Sequence, residues 1–271
     1  MALTRRAFLA AAAGTLAGLS AARMTTLQQT TWTVQHTHHT VRLAGLKAPV
    51  RVALATDLHV GPLLPNEPLQ AWMDAITAIQ PDLVLLGGDL IDRHADREDL
   101  KRLTTALKTL HPPLGTVGVW GNHDYASALP LHEMDAALNA SGVRMLKNER
   151  AAPRHDLHII GLDDLLYGRR DLTRALQRHS PHAANVLISH NPDVIPSLDA
   201  RAQLTLAGHT HGGQIVLPGG IAPFSSSRYG RRFLAGWVTQ NAYVSRGLGV
   251  AYVPARVGAP AELAVFDLTP T

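Results

Sequence analysis

The stretch Val50-Arg51-Val52-Ala53-Leu54-Ala55-Thr56-Asp57-Leu58-His59 decides the fold. An apolar run of strand length ends in a carboxylate and an imidazole two residues apart, as when a buried strand delivers polar groups to the edge of a sheet. Four more clusters repeat the arrangement in chain order: Gly88-Asp89-Leu90-Ile91-Asp92, Gly121-Asn122-His123-Asp124, Ser189-His190-Asn191 and Gly208-His209-Thr210-His211. Any one of them is a weak signal, because a chain with 15 histidines places some near carboxylates by chance. Five in succession, each closing an apolar run, imply that Asp, Asn and His side chains converge on one sheet edge where two divalent metals are held.

Between the clusters the pattern alternates. Asn66 opens a segment with Leu69, Trp72, Met73, Ile76 and Ile79 at helical spacing, stopped before Pro81, and Asp96 caps a second carrying Leu100, Leu103, Leu107 and Leu110 up to Pro112-Pro113. The Trp and Met read as core. Strands are expected over 50–56, 83–86, 116–120, 157–162, 185–189, 203–207, 214–217, 242–245 and 263–266. Strand and helix alternate early and strands crowd late, which points to stacked sheets with helices outside, an α/β fold. No internal repeat or linker divides residues 23–271, expected to be one domain.

The 271 residues and an apolar share of 46% are ample for a packed core. The formal charge is +4, but removing Arg5 and Arg6 leaves 23 basic residues against 21 acidic, too even a balance for a nucleic-acid footprint. Cysteine is absent, so there is neither a disulfide framework nor a thiolate metal site. Thr4-Arg5-Arg6-Ala7-Phe8-Leu9 precedes an Ala, Leu and Gly stretch through Ser20-Ala21-Ala22, with the charged, apolar and small-residue parts of a signal peptide. Residues 1–22 resemble a twin-arginine export signal, departing from its consensus at Ala10. The apolar run of about 16 residues falls short of the ~20 a spanning helix needs, although an uncleaved anchor is the competing reading. The expected location is the periplasm or cell envelope. His36-Thr37-His38-His39 has no accompanying carboxylate, and the alternation from Trp32 to Leu43 makes it a solvated edge strand rather than a metal tract.

Taken together, the five clusters resemble the calcineurin-like metallophosphoesterases over residues 51–212. The pattern Asp-x-His, Gly-Asp-x-x-Asp, Gly-Asn-His-Asp, His, Gly-His-x-His is highly specific. Gly212-Gly213-Gln214, Gly161-Leu162-Asp163-Asp164 and Ser245-Arg246-Gly247-Leu248-Gly249 resemble the exported bacterial branch, which is also similar to UDP-2,3-diacylglucosamine hydrolases. The resemblance implies a four-layer α/β/β/α sandwich. It implies Asp57, His59 and His211 on one metal, Asn122, His190 and His209 on the other, and Asp89 bridging. It places His123 facing substrate, with Asp124 orienting its imidazole and Asp92 bracing the loop or a ligand histidine. Oxygen and nitrogen donors suit Mn, Fe, Zn or Co. Such a pair, roughly 3.5–4 Å apart, clamps a phosphoryl group and lowers the pKa of water toward about 7.

The expected activity is hydrolysis of phosphate esters, as a phosphodiesterase or pyrophosphatase acting on envelope lipid or wall polymer. Arg169, Arg170, Arg228, Arg231 and Arg232, the last three interleaved with Phe224, Tyr229, Phe233 and Trp237, are candidate substrate-binding residues. They would form a lid that grips a phosphate or headgroup and rests on a membrane or cell wall; the bland reading is a solvated loop over packed aromatics. A nuclease or nucleotide phosphatase is one alternative, which the near-even charge does not favour, and no specific nucleic acid is expected as a partner. A non-catalytic, metal-containing envelope-binding protein is the other. His123 argues against it, since a structural metal site has no use for a spare substrate-facing histidine.

Overall fold

A computed structural model describes residues 31–177 and 180–271; the export signal expected over 1–22 lies outside the described residues. Strands β1 (Gln35–Leu43), β2 (Val50–Ala55), β3 (Leu83–Leu86), β4 (Thr116–Val119) and β5 (Val143–Leu146) lie in a first sheet. A second contains β6 (Glu149–Arg154), β7 (Leu157–Gly161), β8 (Ala184–Ser189), β9 (Leu204–Ala207), β10 (Gly236–Thr239) and β11 (Ala242–Val244). The last strand, β12 (Glu262–Pro270), returns to the first sheet, giving the orders β1-β12-β2-β3-β4-β5 and β10-β11-β9-β8-β7-β6. β2 to β5 are mutually parallel, as are β7, β8, β9 and β11, so each sheet gathers its carboxyl-terminal strand ends on one edge. Ligand sites in parallel sheets form there, where loops leave the strands.

The two-residue pleat explains the layering. Val52 and Leu54 of β2 and Leu83 and Leu85 of β3 pack against Ile159, Val186 and Leu206 of the second sheet. Their neighbours Ala53, Ala55, Val84 and Leu86 turn outward onto α1 (Asn66–Ala78) and α2 (Arg97–Leu107), through Trp72, Met73, Ile76, Leu103 and Leu107. Further on come the short α3 (Asn122–Ala126) and α4 (Leu131–Asn139), which adds Met134 and Leu138 to that layer. Behind the second sheet, Ile160 and Leu187 meet Ala175 and Leu176 of α5 (Leu172–Leu176) and Val194 of a 3-10 turn over Pro192–Ser197. Strands covered on both sides carry near-continuous apolar runs, as the sequence pattern required. The result is the expected α/β/β/α sandwich, its last layer thin.

Asp96 accepts from the Glu98 and Asp99 N–H groups while Asp99 reaches back to the Asp96 N–H, a capping box that starts α2 where predicted. β1 is the solvated edge strand expected around His36, His38 and His39. Residues 214–217 are not a strand: Gly212, Gly213 and Gln214 take left-handed backbone (φ 62, 82 and 53°), which breaks extension, and Ile215 makes only isolated bridges to Val257 and Gly258.

Candidate metal centre

The left-handed backbone marks where the strands hand over their polar residues. Asp57, His59, Asp89, His209 and His211 all have positive φ (54, 47, 49, 74 and 53°). Such a conformation is uncommon outside glycine, least so for Asn, Asp and His, and costs of order 1–3 kcal/mol per residue. At each strand end the chain therefore turns sharply, and the side chains of both sheets are aimed into one volume. Close backbone approach completes the packing: a side chain on Gly121 would overlap Asp89, and one on Gly208 would overlap Asp57.

Two groups form. Asp57, His59 and His211 make one, with the two imidazole Nε2 atoms 3.1 Å apart and His211 Nε2 3.5 Å from Asp57 Oδ1. Asp89, His190 and His209 make the other, joined by Asn122: His190 Nε2 lies 3.1 Å from both His209 Nδ1 and Asn122 Oδ1. Asp89 belongs to both, its Oδ2 being 3.5 Å from His59 Nε2 and 3.2 Å from His190 Nε2. Its Oδ1 is occupied separately, accepting from the His123 N–H at 2.7 Å. All seven side chains are buried.

This arrangement fits two cations. Imidazole nitrogens face one another and a carboxylate across van der Waals gaps, and the buried Nε2 of His209 has no hydrogen-bond partner among the described residues. Burial opposes ionisation of Asp89, yet the charges of His190, His59 and His123 hold its carboxyl far below the usual range. Burial likewise opposes the charged form of His190, but Asp89 overrides it and pushes the imidazole up to about 10. His209 and His211 are lowered by burial, then by neighbouring cationic groups. The carboxylates thus call for positive charge at their centre, which a metal supplies in place of a proton. His190 Nδ1 lies 2.9 Å from the Gly87 carbonyl, a contact that fixes the proton there and leaves Nε2 free to coordinate.

His123 sits beside this centre on α3. Its Nδ1 is 3.2 Å from Asp92 Oδ2, so Asp92 braces the His123 ring; the same oxygen lies 3.6 Å from His59 Nδ1, which has no hydrogen-bond partner among the described residues. Asp124 does not orient His123, correcting the expectation from sequence. Its carboxylate accepts from the Ile91 and Gly121 N–H groups at 3.0 and 2.8 Å, because the first turn of α3 points it back at the loop after β4. Burial and the charge of Asp89 push that carboxyl up to about 7.

Three contributors escaped the sequence reading. Arg93, next to Asp92, places Nη2 3.3 Å from His123 Nε2 and 2.7 Å from the Tyr252 hydroxyl, while its Nε has no protein partner among the described residues. Tyr252 stacks edge-on against His123, at 5.8 Å between ring centroids, and itself has a positive φ of 62°. Arg256, only 3% exposed, donates to the carbonyls of Gly249, Ala259, His211, Arg246 and Gly247, tying the loop after β11 to the His211 turn. Burial pushes its guanidinium down to about 10. Gly249 N–H in turn donates to the Asp57 carbonyl at 2.8 Å, so Arg256 supports both sides of the first metal group.

A cavity of about 480 Å³ opens above the centre, with Asp89, Asn122, His123, His209 and His211 at its floor and Ile215, Phe224, Tyr252 and Val253 on its walls. None of the five arginines expected to bind substrate borders it. Arg170 bonds the Ser197 hydroxyl, and Arg228 lies against Asp193. Arg169, Arg231 and Arg232 are exposed nearby in sequence but outside the walls. Distance along the loops, which spacing does not encode, separates them from the phosphoryl position.

The family model of the calcineurin-like phosphoesterases matches residues 50–213, the span holding every candidate ligand. The chain belongs to this family. It is a metal-dependent phosphoesterase that works with two divalent metals. Among its relatives, "Uncharacterized metallophosphoesterase YkuE" of Bacillus subtilis is 30% identical over 88% of this chain and 86% of its own length. An "Uncharacterized metallophosphoesterase" of Helicobacter pylori is 30% identical over 85% of this chain and 62% of its own length. "Phosphodiesterase YaeI" of Escherichia coli is 29% identical over 92% and 94%. As a calcineurin-like phosphoesterase the chain acts on a phosphate ester, the class of partner expected from its sequence.

Proposed function

We propose that the chain is a phosphodiesterase of the cell envelope, hydrolysing a lipid-linked or polymer-linked phosphate diester. The observation that carries the reading is Asp89 Oδ2 standing between His59 and His190, with His123 beside it at the base of the cavity. Asp57, His59 and His211 would hold one metal and Asn122, His190 and His209 the other, with Asp89 placed to serve both. When bound, the pair supplies positive charge to the phosphoryl oxygens and acidifies the attacking water. Asp92 holds Nδ1 of His123, which turns Nε2, 3.3 Å from Arg93 Nη2, toward the leaving oxygen. Arg93 Nη2, also 2.7 Å from the Tyr252 hydroxyl, positions the ring from the side away from Asp92.

A diester suits this cavity better than a monoester. Above the metal-binding floor the walls carry no Lys or Arg that would select for a terminal phosphate, while the apolar surfaces accommodate an ester arm on each side of the phosphorus. The likeness to the Escherichia coli phosphodiesterase YaeI supports the same reaction. An export signal over residues 1–22 would put the enzyme in the periplasm, and the likeness to UDP-2,3-diacylglucosamine hydrolases favours a phosphorylated lipid. Hydrolysis of bis-p-nitrophenyl phosphate and p-nitrophenyl phosphate, with Mn added or chelated, tests the proposal. Metal-dependent turnover of the diester in preference to the monoester is expected; a monoester preference would overturn it.

A further inference from the structure

Nine large apolar side chains stand exposed among the described residues, and six of them, Leu217, Ile221, Phe224, Tyr252, Val253 and Val257, fall in two segments, of which Phe224, Tyr252 and Val253 line the cavity. The segments are joined. Val216 N–H donates to the Val257 carbonyl at 2.7 Å, and the Gln214 amide bonds the Ala251 and Val253 carbonyls at 3.0 Å. Leu217 and Ile221 pair across the turn Pro218-Gly219-Gly220, so both apolar side chains project from a hairpin tip, 46% and 54% exposed. Phe224, at 80%, continues the surface toward the floor. A monomeric soluble surface seldom concentrates apolar groups in this way without a partner.

The charge of the same region is one-sided. From Ala200 to Ala261 the chain contains no Asp or Glu but six arginines; Arg201, Arg228 and Arg246 pair with Asp199, Asp193 and Glu262 and Arg256 is buried, which leaves Arg231 and Arg232 as the exposed cations with no carboxylate against them among the described residues. Arg228, Arg231 and Arg232 are exposed, and the Arg231 guanidinium lies against the hairpin turn at Gly220. Apolar tips surrounded by guanidinium groups match an anionic bilayer, whose headgroups attract the cations while the acyl boundary takes the apolar side chains. Neutral or cationic partners would leave the arginines unanswered.

We propose that this face, centred on the Leu217–Ile221 hairpin and Phe224, docks on an anionic phospholipid surface and sets the cavity mouth against it. Of the arginines expected from sequence to bind substrate, Arg228, Arg231 and Arg232 then act on the membrane rather than at the phosphoryl group. This deepens the envelope reading by naming the surface, and rests on it only for the setting.

The full chain is incubated with phosphatidylcholine vesicles with or without phosphatidylglycerol, and bound protein is separated by sedimentation. The chain has no cysteine, so Ile221→Cys carries an environment-sensitive fluorophore, and Glu98→Cys on α2 carries the same label as a control. With phosphatidylglycerol the label at 221 enters an apolar environment and the label at 98 stays aqueous. The pair Arg231→Glu and Arg232→Glu lowers partitioning by about tenfold or more. Leu217→Glu with Ile221→Glu also releases the protein, and its lipid-free hydrolysis of bis-p-nitrophenyl phosphate is unchanged because neither residue borders the cavity. An aqueous 221 label on vesicle-bound protein overturns the proposal, whatever other part of the chain touches lipid. So does an apolar 221 signal without lipid that grows with protein concentration, since the face would then be covered by a second copy. Absent hydrolysis in the lipid-free wild type contradicts the phosphodiesterase reading instead, and leaves docking to be judged by the label alone.

Discussion

The floor of the cavity and its mouth follow opposite rules. At the floor seven polar side chains are buried, five of them on turned backbone, and of their buried atoms only His59 Nδ1 and His209 Nε2 lack a hydrogen-bond partner among the described residues. At the mouth the side chains are exposed, apolar and set among arginines, and the backbone from 214 to 224 has little regular structure. The difference separates reactivity from selection. A phosphoryl group in flight requires fixed donors at fixed distances, whereas choosing what is attached to it requires surface of the right character.

Substitutions that respect or cross this boundary sharpen it. The largest effect is expected from Asp89→Asn, which removes the charge shared by both metal groups; turnover of bis-p-nitrophenyl phosphate should fall to background and elemental analysis should find less than two metals per chain. His123→Ala should lose about 10²- to 10⁴-fold in kcat. Its metal content should stay at two, since the ring lies beside the ligands and not among them, and a loss of metal would break the distinction between the two roles. Arg256 lies beneath both regions. Arg256→Met leaves buried carbonyls of Gly249, Ala259 and Gly247 without a donor, and denaturant unfolding should show a loss of about 3 kcal/mol.

A carboxylate remote from the cavity provides the pH control. Asp156 is buried; burial opposes its charge, but Arg154 and the Lys47 N–H hold its pKa down to about 2, below the ordinary 3.8. Its folded pKa is depressed, so its stabilisation is complete above the ordinary value and is lost as pH falls toward about 2. Asp156→Asn should flatten the acid limb of the stability curve in that window, as followed by urea midpoints, without altering metal content. The smallest effect is expected from Phe224→Ser at the mouth, which should change unfolding free energy by no more than about 0.5 kcal/mol. A larger loss would mean that the mouth is part of the core.

How much could be read in advance divides along the same boundary. The strands before Asp57, Asp89, Asn122, His190 and His209 were legible because each is buried on both faces and ends in a polar cluster, and the pairing of His with Asp or Asn then indicated metals. The helices at Asn66 and Asp96 were legible from apolar spacing and a cap. β5, β6 and β10 were not, being short or carrying residues such as Pro153 and Arg154 that mask the two-residue alternation. Arg256 reads as a surface cation, and only the carbonyls that converge on it reveal otherwise. Arg93 and Tyr252 meet across 159 residues, a contact that no local pattern records. For the same reason the sequence favoured Asp124 over Asp92 as the partner of His123: adjacency in the chain is not adjacency around a helical turn.

Anomalous scattering from crystals soaked in Mn is the most direct test of the two-metal centre. Two peaks roughly 3.5–4 Å apart are predicted, one among Asp57, His59 and His211 and one among Asn122, His190 and His209, with Asp89 in contact with both. A single peak, or a pair that leaves Asp89 outside its coordination, would contradict the account.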